Sequence, residues 1–148
     1  MKLKIKYLFP GVIELSSCEG DSGYDLRAHL AEAITIEPNG KHSFGTGIAA
    51  ELVDYPAAET LSYELQVRPR SGHTARGIVA QFGTIDAAYR GEIWVTLFNF
   101  GKMPVTIEPD ERIAQLVVCP VYKPQLETAR ELSATTRGGN GFGSTGKD

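Results

Sequence analysis

Apolar and polar residues alternate with a period of two over several short stretches of this chain, and no long stretch carries a helical 3.6-residue period. Residues 1–7 set Leu3, Ile5 and Tyr7 against Lys2, Lys4 and Lys6, which predicts a half-buried strand with a charged outer face. Ser62 to Arg68 alternates in the same way, with Tyr63, Leu65 and Val67 on one face. Ile34 to Glu37 runs into the turn sequence Pro38-Asn39-Gly40, after which Ser43 to Glu51 is expected as the returning strand. Glu92 to Asn99 and Ile113 to Val121 are apolar on both faces and are expected as central, doubly covered strands. The one helical candidate is short, Ser71 to Arg76 after Pro69-Arg70. It opens on Ser71-Gly72, which would present a hydroxyl and free backbone N–H groups, a seat for a phosphate. Sixteen glycines and eight prolines punctuate these short runs throughout, so the predicted class is all-β.

Composition sharpens the picture in three places. A length of 148 residues with 42% hydrophobic content suits one domain with one core. Fifteen basic and eighteen acidic residues are mixed along the chain for a net charge of -3, which argues against a non-specific nucleic-acid or lipid-surface binder. A few well-placed arginines still suffice for a small polyanion. Cys18 and Cys119 are far apart and lack CxxC spacing, so buried free thiols are expected rather than zinc or a disulfide framework. The basic residues interleaved in MKLKIKYLFPG exclude an apolar signal core, and no apolar run approaches a membrane span. The expectation is a soluble protein of a reducing compartment, the cytoplasm of the cell or of a phage-infected host.

From Glu131 onward the chain changes character and ends in a glycine-rich tail from Arg137 to Asp148. Composition alone allows a disordered end, yet one arginine, one aromatic and a Ser-Thr pair among glycines also suit the wrapping of a phosphorylated ligand. Gly141 to Gly146 fits the GxGxxG string and nearly fits a P-loop, but only two residues follow, so no helix can open there. No GxSxG string exists, and His29, His42 and His73 are expected as surface or loop residues.

Five segments, in order, carry the strongest signal: Gly23 to Ala28 (GYDLRA); Arg68 to Gly72 (RPRSG); Gly83 to Glu92 (GTIDAAYRGE); Glu111 to Leu116 (ERIAQL); and Arg137 to Gly146 (RGGNGFGSTG). Any one of them is weak. Together, spanning residues 23–146, they resemble the five motifs of the trimeric dUTPase family. The resemblance implies a jelly-roll-like β-barrel over residues 1–130, a homotrimer, and a mobile arm over residues 131–148 that closes on a site elsewhere in the trimer. It also implies Mg2+-dependent hydrolysis of dUTP to dUMP and pyrophosphate, an activity that keeps uracil out of DNA and supplies dUMP.

Cutting between the α- and β-phosphates needs an in-line water, a base and positive charge on the phosphate oxygens. By resemblance Asp86 is the base, although its local string reads equally as a β-turn cap. Asp25 resembles the carboxylate that holds Mg2+ through its water shell, the triphosphate supplying the direct ligands; locally it reads as a turn residue. Arg70, Ser71, Gly72 and Gln115 resemble the contacts to the α- and β-phosphates, with Gln115 also near the attacking water. Arg112 is left as structural, suited to an inter-subunit salt bridge rather than to phosphate contact. Gly83, Thr84 and Ile85 belong to a hairpin whose backbone would read uracil, rejecting cytosine by reversed polarity and thymine by its methyl. Tyr89 would lie beneath the deoxyribose, or else is a core tyrosine. In the tail, Phe142 would stack on the uracil beside Gly143, while Arg137, Ser144 and Thr145 would hold the γ-phosphate.

Two departures stand out. Gln81-Phe82 occupies a place where a small residue or Asn is more usual, leaving open which side chain supplements uracil recognition. Ala88 replaces an acidic residue or glycine before the tyrosine. Among rivals, a dCTP deaminase of the same fold would show Arg-Ser-Ser and a glutamate base, where this chain has Arg70-Ser71-Gly72 and Asp86. A nucleotide-binding regulatory β-barrel without turnover is the alternative from another class.

Overall fold

The structure, a computed structural model, describes residues 1–56 and 60–140. Eleven strands and one helical turn are found among the described residues, and every strand pairing is antiparallel. In chain order they are β1 (Lys2–Tyr7), β2 (Tyr24–Arg27), β3 (Ile34–Ile36), β4 (Lys41–Gly45), β5 (Ile48–Val53), β6 (Leu61–Arg68), α1 (Ser71–Thr74), β7 (Ile78–Ala80), β8 (Gly83–Ile85), β9 (Trp94–Asn99), β10 (Val105–Ile107) and β11 (Arg112–Tyr122). Four small sheets, ordered β1-β5, β10-β3, β2-β11-β6-β8 and β4-β9-β7, fold in the jelly-roll manner around one core.

Alternation in the sequence becomes sidedness in the sheets. Leu3 and Ile5 of β1 pack towards the core while Lys2, Lys4 and Lys6 face out; Tyr7, expected inward, is exposed. On β6, Leu65 and Val67 are buried, Val67 opposite Leu116 and Leu65 opposite Val118 of the long central strand β11. Leu26, Phe44, Ile78, Leu97, Ile107 and Ile113 complete the interior, each fully enclosed. Burying such a side chain stabilises the fold by about 1.5–3 kcal/mol against leaving it in water.

The structure corrects several expectations. The Pro38-Asn39-Gly40 turn forms, with Asn39 at φ 60° and Gly40 N–H donating to the Glu37 carbonyl at 2.8 Å, but it joins strands of different sheets. β3 pairs with β10, and the expected single return over 43–51 is two strands: β4 on β9 and β5 on β1. The break falls at Thr46-Gly47, where Gly47 takes φ +70° and a Cβ would meet Val12 Cγ2 at 2.6 Å. Only glycine fits that corner. β9 is central in its sheet but covered on one face in a single chain, its outer residue Trp94 standing 56% exposed. β11 is covered on both faces as expected. The helix ends at Thr74, Cys18 is exposed while Cys119 is buried, and His73 is buried. No helix among the described residues is long and apolar enough to cross a membrane.

Candidate active site

The first cluster lies at one end of the four-stranded sheet. Antiparallel register sets Gln115 of β11 opposite Asp25 of β2 on one side and Arg68 of β6 on the other, so the three residues share a face. The side chain of Asp25 is 15% exposed, and its carboxylate accepts from Arg70 and, at 3.3 Å, from Arg112 Nη1. A carboxylate this enclosed needs partners for its oxygens, and here two guanidiniums supply them. Arg112, read from sequence as structural, thus sits within this cluster.

Arg70 owes its place to α1. Pro69 disfavours helical backbone at Arg68, β6 ends there, and Arg70 itself stays extended at φ −92°, ψ 134° as the residue that caps α1. The Arg70 carbonyl accepts from the Thr74 N–H at 3.0 Å and the Thr74 hydroxyl at 3.1 Å. Ser71 and Gly72 are exposed at the start of the turn, as the phosphate-seat reading requires. His73 is the one buried residue of α1; its Nε2 lies 3.1 Å from the Arg112 carbonyl and 3.4 Å from Glu111 Oε1.

The second cluster surrounds Asp86. β8 runs along β6, Ile85 opposite Leu65 and Thr84 opposite Gln66, and then the chain turns, Tyr89 N–H donating to the Asp86 carbonyl at 2.9 Å. Asp86 therefore occupies a β-turn, and its carboxylate is exposed, so the turn reading and the outward-facing base are compatible. Tyr89 does not enter the core: it lies across Gly91 with its hydroxyl donating to the Glu92 carbonyl at 2.9 Å. Arg90 braces the turn, donating to the Ala87 and Tyr89 carbonyls at 2.7 and 2.8 Å and pairing with Glu51 at 3.0 Å. A shallow depression is lined by Thr84, Ile85, Asp86, Tyr89, Glu92 and Trp94.

One chain keeps these clusters apart. From Asp25 to Asp86 the path crosses three strand spacings and about four residues along β6, which places the carboxylates on the order of 20 Å apart. Both cannot act on one α-phosphate of the same chain. Arg137 sits in an exposed stretch without strand or helix, its Nε donating to the Asn140 carbonyl at 3.0 Å. Leu126 and Leu132 of the preceding segment are 100% and 90% exposed. Phe142, Gly143, Ser144 and Thr145 lie outside the described residues. Gln81 and Phe82 are exposed beside β7.

No group of three or more His, Cys, Asp or Glu among the described residues is arranged to hold a metal. A magnesium ion beside Asp25 fits this donor set only as an ion taking most of its oxygens from a ligand and from water, and such a fit suits magnesium's reluctance to shed its hydration. Sequence reasoning missed His73, the Arg90–Glu51 brace and Trp94. Only Trp94 had a legible signal, an aromatic at the outward phase of an alternating strand.

The class is thus a small all-β jelly roll whose polar residues gather at sheet ends and turns rather than in a central cavity. A profile of the dUTPase family matches residues 11–146, and the chain belongs to that family. It is 42% identical over 152 residues to a deoxyuridine 5'-triphosphate nucleotidohydrolase of Bdellovibrio bacteriovorus, covering 99% of this chain and 97% of that one. A protein of the same name from Nautilia profundicola is 41% identical over 151 residues, covering 99% and 100%. Among solved structures, the dUTPase of Staphylococcus bacteriophage 80alpha with dUPNHPP superposes with a TM-score of 0.82 at 27% identity, over 98% of each chain.

Proposed function

We propose that the protein hydrolyses dUTP to dUMP and pyrophosphate in a site assembled from more than one copy of the chain. The observation that carries the reading is the division of polar groups into a cationic cluster (Arg70, Arg112, Asp25, Gln115) and a separate turn that presents Asp86 beside Tyr89. Each half suits one half of a nucleotide, and each alone is incomplete.

Arg70, the Ser71 hydroxyl, the Gly72 N–H and the Gln115 amide bind the α- and β-phosphates, where a guanidinium fork and backbone N–H groups match phosphate oxygens. Asp25 would hold Mg2+ through the ion's water shell, and the ion would supply positive charge against the phosphate oxygens. Asp86 of another copy orients a water in line with the α-phosphorus and takes its proton. The water oxygen bonds to phosphorus as the α–β bridging oxygen departs with pyrophosphate. Gly83, Thr84 and Ile85 read the uracil edge with main-chain groups, and Tyr89 lies against the deoxyribose where a 2′-hydroxyl would collide.

The exposed leucines before the tail support an arm, residues 131–148, that docks on a neighbour in a homotrimer. Arg137, Ser144 and Thr145 then hold the γ-phosphate, with Phe142 over the base and Gly143 allowing close backbone approach. Residues 1–130 form the barrel, and the enzyme works in the cytoplasm.

Pyrophosphate release from dUTP with Mg2+ tests the proposal, with Asp86→Asn as control. Turnover of dUTP that falls by at least about a hundredfold in the variant supports it. Ammonia release from dCTP, or nucleotide binding without turnover, would replace it with a deaminase or a regulatory binder.

A further inference from the structure

A closed circuit of contacts surrounds the cationic cluster. Arg70, which caps α1, pairs with Asp25; Asp25 pairs with the Arg112 guanidinium at 3.3 Å; the Arg112 carbonyl meets His73 Nε2 at 3.1 Å; and His73 lies on α1, three residues after Arg70. Arg112 is thereby held at both ends, its side chain by Asp25 and its main chain by His73. His73 is the member that joins α1 to β11, and it is 8% exposed.

We infer that His73 is a positioning residue for phosphate binding: its neutral imidazole anchors α1, and with it Arg70, Ser71 and Gly72, against the start of β11. The inference rests on the reading of that turn as the phosphate seat. With Nε2–H donating to the Arg112 carbonyl, Nδ1 is left as a bare lone pair, buried and without a hydrogen-bond partner among the described residues. A neutral ring tolerates this at modest cost. Protonation would place a buried N–H at Nδ1 with no acceptor among the described residues, and a charge in a largely desolvated slot, so the acid form fits it poorly.

Burial lowers the pKa of His73 below its ordinary 6.5. The Glu111 carboxylate and the Arg112 carbonyl oppose the shift, while Arg76 and Arg70 add to it. These charges come from α1 and its continuation on one side and from the start of β11 on the other. A depressed folded value means that the unfolded chain binds the proton first. The anchor's contribution is therefore complete above 6.5 and is lost as pH falls through the lowered value. Phosphate affinity should weaken in acid over the same range.

The test measures KM and kcat for dUTP with Mg2+ from pH 8 down to the lowest pH at which the wild type stays folded, in wild type, His73→Gln and His73→Leu. Glutamine reaches the Arg112 carbonyl with its own amide N–H and does not titrate; leucine fills the slot without the bond. At pH 8 the leucine variant should show a KM raised about five- to tenfold with kcat within about twofold, because loosened seating of the phosphates weakens ground and transition states alike. The glutamine variant should restore KM to within about twofold of wild type. As pH falls, the wild-type KM divided by that of the glutamine variant should rise, a ratio that cancels titration of the substrate itself.

If the leucine variant fails to fold, as thermal melting would reveal, the comparison of wild type with glutamine still decides. A flat ratio across the range overturns the role of His73, as does a folded leucine variant with wild-type KM. Wild type that leaves dUTP intact at pH 8 overturns the functional reading instead, and this inference with it.

Discussion

Alanine at position 91 would place a Cβ 2.4 Å from the Tyr89 hydroxyl and 2.6 Å from its Cζ. Gly91 is not among the positive-φ glycines, so the backbone accepts alanine, and the three atoms nearest the new Cβ all belong to the Tyr89 side chain. Non-bonded carbon contacts are comfortable near 3.5–4.0 Å, so the ring must shift by about 1 Å. That motion breaks the 2.9 Å bond from the Tyr89 hydroxyl to the Glu92 carbonyl. Tyr89 is half exposed and stands outside the core cluster, so the stability loss should be close to the single hydrogen bond, about 0.5–1.5 kcal/mol. Melting should accordingly fall by only a few degrees, about 2–6 °C. Turnover should respond far more, since a platform misplaced by about 1 Å can cost up to a hundredfold in kcat/KM. Steady-state pyrophosphate release with dUTP and with UTP, run alongside thermal melting, separates the two effects. A Gly91→Ala protein that keeps both its kcat/KM and its preference for dUTP over UTP would refute the placement of Tyr89 under the sugar.

Three other outcomes follow from the same structure. Asn99 is fully buried, donates from Nδ2 to the Ile36 and Met103 carbonyls at 2.9 and 2.8 Å and accepts from the Gly101 N–H at 2.9 Å. Asn99→Leu orphans one buried group, the Ile36 carbonyl, and two part-buried ones, and should cost about 2–4 kcal/mol in urea denaturation, with kcat of the remaining folded fraction intact. Trp94 is the only tryptophan in the chain and lines the Tyr89 depression; its emission should shift or quench when a non-hydrolysable dUTP analogue binds, and an unchanged spectrum at saturation counts against that depression as the nucleoside site. Removing residues 137–148 should leave melting within about 2 °C of wild type while kcat/KM drops by at least about a hundredfold, and a truncated enzyme at full speed would contradict the arm's role.

The strands that read clearly from sequence are those whose alternation is set by a single buried face, β1 and β6, together with the long apolar run of β11. The error at residues 34–51 has a physical source: a turn sequence fixes the local bend but not the strand with which each arm pairs. Sheet membership there depends on β9 and β10, which arrive some sixty residues later and pair with β4 and β3, and on β1, which takes β5. β9 looked doubly covered because Trp94 and Phe98 are apolar, yet one chain covers only the Val95 and Leu97 side.

The candidate site was legible as a set of segments, and Asp25, Arg70 and Gln115 do gather at one sheet end. Their distance from Asp86 was not legible, because order along the chain carries no information on lateral strand spacing. Nor was the burial of His73, whose local string of Ser71-Gly72-His73-Thr74 is polar throughout. Its slot is made by the main chain of Arg112, a feature that no side-chain pattern records.

Subunit complementation tests the composite site most directly. Asp86→Asn and Arg70→Ala chains, each inactive alone, would be unfolded together in equal amounts and refolded. If Asp86 and Arg70 of one site come from different chains, random assembly leaves about one site in four with both groups intact, and about a quarter of wild-type activity should return. A mixture that assembles normally and stays as inactive as its parents would contradict the account, because every chain would then carry its own defect into its own site.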